Sequence, residues 1–280
     1  MAPRLATFAI TLLLGSVLGA ALLWSAPGAT ADDRELDPRL SAASIQAIRA
    51  ERVAAASPVR FYLGYMRGLA RGDFGVSQQY GRPVGQILAE RLPVTARAMF
   101  WGVGAGWLAG LGLALGSVVA RIRVFSVIGA ALSGATLSLP VAVLALLFLF
   151  TGAPPQAALA LVVFPRVYRF AVNLLMEALD AQHVLAARAR GIGAIALLAR
   201  HILPGVAAPL AALAGVSLSI AFGAAIPVEV VCDLPGLGQL AWQAAMARDL
   251  PILVNVTLLA TLLATSAGLA ADLFLREAHS

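Results

Sequence analysis

Long uncharged apolar blocks, not amphipathic stripes or two-residue alternation, set the architecture of this chain. Residues 93–120 carry only Arg97, and residues 124–165, 202–228 and 250–271 carry no charge. About 20 apolar residues cross about 30 Å of hydrocarbon, so these blocks predict membrane-spanning helices. The block 124–165 is too long for one crossing, and Thr151-Gly152-Ala153-Pro154-Pro155 interrupts it. Neither proline continues a helix without losing a donor, so the block divides into a third and a fourth span. In the fourth, Arg166 and Arg169 follow only ten uncharged residues, 156–165. A helix running on to about Leu175 still crosses if both arginines snorkel to the cytoplasmic interface, the alternative being a re-entrant hairpin. At the N-terminus, residues 5–25 form a first span. Ala29-Thr30-Ala31 also has the shape of a signal-peptidase site, so cleavage is the alternative there, and both readings put Asp32 onward outside the cytoplasm.

The expected fold is all-α, a polytopic membrane protein of six transmembrane helices with both termini cytoplasmic. Residues 1–25 are the first span, 26–92 an extracytoplasmic loop, and 93–280 a five-helix core whose residues 177–204 form a cytoplasmic loop between spans 4 and 5. Composition agrees: 60% of residues are hydrophobic and 12% charged, with a mean hydropathy of +0.88, against about 25% charged in soluble domains. Orientation follows from arginines in short loops. Arg4, Arg121, Arg123, Arg166, Arg169, Arg188, Arg190, Arg200 and Arg276 fall on one side, and the short loops opposite offer only Arg248 beside Asp249. The net charge of +6 therefore reflects topology, and no basic, aromatic groove for nucleic acid is visible. The second span carries two small-xxx-small rows, Gly102-Gly106-Gly110 and Gly112-Gly116, which suit close helix packing more than a pore lining. Pro140, inside the third span, has the same two readings.

Candidate chemistry changes the picture mainly by what it excludes. Cys232 stands alone, and His183, His201 and His279 have no metal-ligand spacing, so neither a disulfide, a metal site nor a catalytic residue is expected. All twenty basic residues are arginine, whereas a P-loop needs a lysine to reach the β and γ phosphates; no cofactor is expected in this chain, and any ATP is used by a partner subunit. An intramembrane enzyme would need nucleophile partners that Ser133, Ser138, Ser217 and Ser219 lack. A secondary transporter, the alternative of a different class, would carry inverted repeats and a mid-span carboxylate.

The polar segment 177–204 reads as a docking surface. Residues 177–190 favour a helix, Gly191-Ile192-Gly193 ends it, and a second short helix over 194–203 stops at Pro204. On the first helix small residues lie beside arginine, Leu185 over Ala189 and Ala186 over Arg190. Small side chains allow close approach of a partner, with Arg188, Arg190 and Arg200 available at the rim; an ordinary basic connector facing lipid headgroups is the plainer alternative. Elsewhere, Asp73 suits a turn, Pro235-Gly236 and Gly238 a tight loop dipping toward the fifth span, and Asp249 an N-cap ahead of Pro251. Glu229, the sole carboxylate at the outer end of the fifth span, is either a structural partner of Arg97 or Arg248, an interfacial group, or part of an outer gate.

Ala186-Ala187, Gly191, His201 and Leu203-Pro204, at their spacing, resemble the coupling motif of permeases of ATP-binding-cassette importers, departing from it at Leu185 and His201. Val184, Ala187-Arg188-Ala189-Arg190-Gly191 and Arg200-His201 resemble the dipeptide, oligopeptide and nickel permeases, with Arg190 in place of the usual Lys. Gly72-Asp73-Phe74-Gly75-Val76-Ser77, Arg82-Pro83-Val84 and residues 90–95 are similar to that family's passage into the second span. Glu229, Leu234-Pro235-Gly236-Leu237-Gly238 and Arg248-Asp249-Leu250-Pro251 are similar to its loop before the last span. The resemblance implies a multi-pass permease of a bacterial or archaeal inner membrane that moves peptides, nickel or other small solutes by alternating access. Its implied partners are ATP-binding-cassette ATPase subunits, a second permease subunit in a heterodimer, an extracytoplasmic solute-binding protein and the bilayer. Residues 186–204 would couple to the ATPase, and Glu229, Pro235, Gly236, Gly238, Arg248 and Asp249 would form the outer gate or loop.

Overall fold

The computed structural model describes residues 67–69 and 71–277; the first hydrophobic segment, its cleavage alternative and most of the expected outer loop lie outside the described residues. Among those described the chain is helical, with one isolated antiparallel bridge between Val76 and Pro83. The helices are α1 (Val84–Val118), α2 (Arg123–Ser138), α3 (Val141–Thr151), α4 (Gln156–Asp180), α5 (Gln182–Ala189), α6 (Ala194–Leu197), a π-helical turn (Leu198–Ile202), α7 (Leu203–Val231), α8 (Leu237–Ala247) and α9 (Leu250–Glu277). The helices α1, α4 and the run Ala194–Val231 are each long and apolar enough to cross a bilayer, and α2 with α3 make a fourth if the bent pair is one crossing. The apolar stretch described in α9 is shorter, Leu250–Ser266.

The chain divides into two compact units, Arg91–Leu240 with Leu262–Ser280 and Met1–Glu90 with Ala241–Thr261. In the first, α4 is the central helix, with Ala158, Leu159, Val163, Phe164, Val167, Ala171 and Leu175 all buried. The glycines of α1 explain how closely it approaches α4. A Cβ on Gly102 would come within 2.6 Å of Leu159 Cβ, one on Gly106 within 2.8 Å of the Ala160 carbonyl, and one on Gly110 within 2.8 Å of Val167 Cγ1. Gly104 and Gly112 meet nothing within 4 Å, so the second row contributes through Gly116 alone, which abuts Phe125. Gly106→Leu is expected to cost about 1–3 kcal/mol by overpacking, seen as a lowered thermal midpoint of the purified protein in detergent; Gly104→Leu is expected to leave it unchanged.

Several expectations are corrected. The third span is not one straight helix: α2 and α3 meet at 107°. Leu139, the residue before Pro140, is extended (φ −99°, ψ 130°), as clash with a proline ring dictates. The turn expected at 151–155 is present, with Gly152 left-handed (φ 67°) and the Ala153 N–H bonded to the Phe148 carbonyl at 3.0 Å. As a run on to about Leu175 requires, both arginines of the fourth span lie inside α4, which continues to Asp180. Arg166 is ten residues from Gln156, about 15 Å along a helix about 37 Å long.

The docking segment also differs in detail. One helix over 177–190 is replaced by two, because Ala181 is extended (φ −65°, ψ 136°) between α4 and α5. The short helix expected over 194–203 does not stop at Pro204; it runs on into α7, with Pro204 in that helix's first turn. The π-helical turn makes this possible. The Leu203 N–H bonds the Leu198 carbonyl, five residues back, and the wider turn accommodates a proline that would otherwise clash with the carbonyl four residues before it.

Candidate functional site

The loop between α4 and α7 is built on a buried anchor. Val184 and Ala187 of α5 pack with Phe164, Tyr168, Leu175, Leu197, Ile202 and Val206 into one cluster, which fixes α5 against the ends of the helices flanking it. Ala187 is thus internal, and the surface offered outward consists of Leu185, Ala186, Arg188, Ala189 and Arg190, all exposed. Arg190 closes the helix, its Nε donating to the Ala186 carbonyl at 3.2 Å. Gly191 then turns the chain at φ 78°, with its N–H on the Arg188 carbonyl and the Ile192 N–H on the Ala187 carbonyl. Left-handed backbone is the ordinary C-terminal stop of a helix and suits glycine. A cross-tie holds the two arms together, His183 Nε2 lying 3.3 Å from the His201 carbonyl. Arg200, Leu203 and Pro204 are exposed and His201 half-buried. Ile195 was not identified from the sequence as a site residue. It is 85% exposed, one of the most exposed large apolar side chains described, and its place two residues after the Gly-Ile-Gly turn was the available signal.

Glu229 is buried, and Arg97 is not among the described hydrogen-bond or ion-pair partners of its carboxylate. Instead that carboxylate accepts Thr95 Oγ1 at 2.6 Å, the Gly238 N–H at 2.7 Å and the Gln239 N–H at 3.1 Å, while Thr95 Oγ1 accepts the Leu237 N–H at 2.7 Å. The first three N–H groups of α8, which no helical carbonyl can reach, are therefore capped by side chains from α1 and α7. Gly236 makes the approach possible, since a Cβ there would overlap the Glu229 carboxylate. Gly238 packs its backbone on Ile226, and Gln239 is held by Asp233 at 2.6 Å and Arg91 at 3.4 Å. The loop does return toward the fifth span, as expected, and Pro235 lies within it.

In the other compact unit the structure brings together two motifs distant in sequence. The Asp73 carboxylate accepts the Gly75 N–H at 2.9 Å, completing the expected turn. Asp249, fully buried, caps α9 through the Ile252 N–H at 3.4 Å, and also accepts Ser77 Oγ at 2.5 Å and the Gln79 N–H at 3.0 Å. Asn255 Nδ2 donates to the Phe74 carbonyl at 2.8 Å, and Tyr80 Oη to Gln243 Oε1 at 2.9 Å. Arg248, at φ 55°, immediately precedes the cap. Sequence spacing suggested the cap at Asp249, but the pairings of Ser77, Tyr80, Gln243 and Asn255 span more than 160 residues and leave no local signal.

Comparison with known proteins follows the same lines. Residues 102–277 match the family model described as binding-protein-dependent transport system inner membrane component. The chain is similar to the oligopeptide transport system permease protein OppB of Escherichia coli strain K12, 26% identical over 231 residues that cover 71% of this chain and 72% of that protein. OppB of Salmonella typhimurium is likewise 26% identical, over 222 residues, with the same shares. Among solved structures, a chain of the MetNI methionine ABC transporter in an inward facing conformation matches with a TM-score of 0.56 at 20% identity, covering 70% of this chain and 94% of that one. This last likeness establishes the fold alone.

Proposed function

We propose, from the premise that this chain belongs to the family of binding-protein-dependent transport system inner membrane components, that it is the permease subunit of an ATP-driven importer and passes di- or oligopeptides across the inner membrane by alternating access. The observation that carries the reading is the loop 182–202. Its inner face is locked to the span ends by Val184, Ala187, Leu197 and Ile202, while its outer face presents small residues, three arginines and an exposed isoleucine. A surface fixed to two spans and free on its other side transmits a rigid-body movement. An ATPase subunit docks there in this reading, on the cytoplasmic side, in a six-span arrangement with both termini cytoplasmic. A second permease subunit completes the path, and an extracytoplasmic binding protein delivers the solute. Peptide as substrate is supported by the relatives, which are named as oligopeptide permeases.

Charge reversal of the loop tests the docking. The tagged chain, purified from native membranes, is expected to bring down a P-loop ATPase and a second permease, identified by mass spectrometry. Arg188→Glu with Arg190→Glu is expected to lose the ATPase at least tenfold and keep the permease, because two charge-assisted contacts at about 1.5–3 kcal/mol each become repulsions. A chain recovered alone, unaffected by the reversal, would move the assignment to a secondary transporter.

A further inference from the structure

A cleft of about 290 Å³ opens where α2 and α3 bend apart, and its walls include Thr136, Leu139, Val141, Arg166, Gly223 and Pro227. Three features of its wall bear on what it holds. First, Arg166 is the one titratable residue lining it among the described residues. It stands near the middle of α4, and its described hydrogen bond is to the Val162 carbonyl at 3.3 Å. Its neighbour one turn on, Arg169, is tied down instead, its Nε donating to Ser133 Oγ at 2.9 Å. A guanidinium inside an apolar helix long enough to cross a bilayer costs several kcal/mol against hydrocarbon, so it faces a polar path or a partner. Second, Pro165 of α4 lacks the N–H that would bond the carbonyl of Leu161, and Pro227 of α7 lacks the one for Gly223. Leu161 and Gly223 both line the cleft, as do the two prolines. Third, the break at Pro140 puts the first turn of α3 in the same wall through Val141. The cleft thus combines a fixed cation with backbone acceptors released from two helices.

From Arg166, near the middle of α4 and facing a cleft whose walls contain the proline-released carbonyls of Leu161 and Gly223, we infer that this cleft is a solute subsite for a carboxylate bearing adjacent N–H donors, the C-terminal end of a peptide. Arg166 binds the carboxylate through its planar fork of donors, and the released carbonyls accept the amide N–H. The inference rests on the permease reading and adds to it the place and the chemistry of recognition. The other source of a carboxylate is an acidic side chain of the second permease subunit, which the experiment separates.

The test uses the complete transporter, with this chain carrying Cys232→Ser and Gly223→Cys. A Cβ at Gly223 meets no atom within 4 Å, so the thiol sits in the wall without displacing it. Its modification by an anionic sulfonate-bearing methanethiosulfonate is compared with that by a cationic ammonium-bearing one, read by the mass of this chain. The anionic reagent is expected to react about tenfold faster through attraction to Arg166, and Arg166→Gln is expected to remove the preference. Dialanine is expected to slow the reaction, and dialanine amide to leave it unchanged. Equal rates for both reagents would overturn the inference, and so would a charge preference that neither peptide blocks. A thiol inert in the complex but reactive in the isolated full chain would give the cleft to the partner's side chain, again overturning it. Recovery of the ATPase with the tagged chain is read separately, so failure of the subsite is distinct from failure of the permease reading.

Discussion

Glu229→Ala is expected to lower the stability of the purified protein by about 2–5 kcal/mol, the cost of leaving buried donors without their acceptor. The substitution leaves Thr95 Oγ1 and the Gly238 and Gln239 N–H groups without the acceptor they share. Each buried donor so orphaned costs about 1–3 kcal/mol, less whatever water entering the vacated space returns. Glu229→Gln is expected to fall between: one oxygen still accepts, but the amide nitrogen places its own donors against N–H groups that need an acceptor. Thr95→Val is expected to cost less again, since it frees mainly the Leu237 N–H. The measurement is the thermal midpoint in detergent, with limited proteolysis of residues 233–237 as a local readout of whether α8 has come loose. A midpoint unchanged by Glu229→Ala would remove the carboxylate from its structural role. Lost uptake at unchanged stability would restore it as a gate.

That environment shows where local pattern stops being informative. The apolar blocks made the helices legible because each span needs a minimum length of uncharged residues, and the turn at 151–155 was legible because Gly152 and the two prolines leave few backbone options. The glycine row of α1 was legible as packing because its spacing is helical and its residues have no side chain to place elsewhere. The bend at Leu139-Pro140 was not, since a proline inside an apolar block is compatible with a modest kink as well as with the 107° break found. Nor was the fate of Pro204: a Leu-Pro pair reads as a stop, and the π-helical turn that carries the chain through it has no sequence mark of its own. Asp249 was recognisable as a cap from its neighbours. Glu229 was recognisable only as an anomaly, because the groups that satisfy it come from Thr95, 134 residues away, and from backbone atoms that any residue would supply. The same limit applies to the coupling face. Ala186 and Ala187 are adjacent and identical, yet one is exposed and the other is fully buried, a division set by how α5 is rotated against α4.

Gly191→Val is expected to abolish coupled uptake, with at least a tenfold loss, while the protein still assembles in the membrane. Backbone geometry alone produces the effect, for a Cβ at this position meets nothing within 4 Å, so no clash with neighbouring atoms contributes. What fails is φ 78°, a region in which an L-residue pays about 1–2 kcal/mol and a β-branched one more. The chain relieves that strain by unwinding the end of α5, which shifts Arg188, Arg190 and Ile195 away from the proposed ATPase contact. Val184 and Ala187, in the buried cluster, stay in place, so the spans themselves are spared. Two variants separate this account from general damage. Asparagine visits left-handed backbone far more readily than valine, so Gly191→Asn is expected to keep most of the uptake. Gly193 sits at φ −64°, which any residue adopts, and Gly193→Ala is expected to be near neutral. The readout is solute transported per ATP hydrolysed in reconstituted vesicles, with membrane levels of the chain measured alongside. Normal uptake by Gly191→Val at unchanged levels would mean that the left-handed stop is dispensable and that the loop does not transmit force as a rigid element.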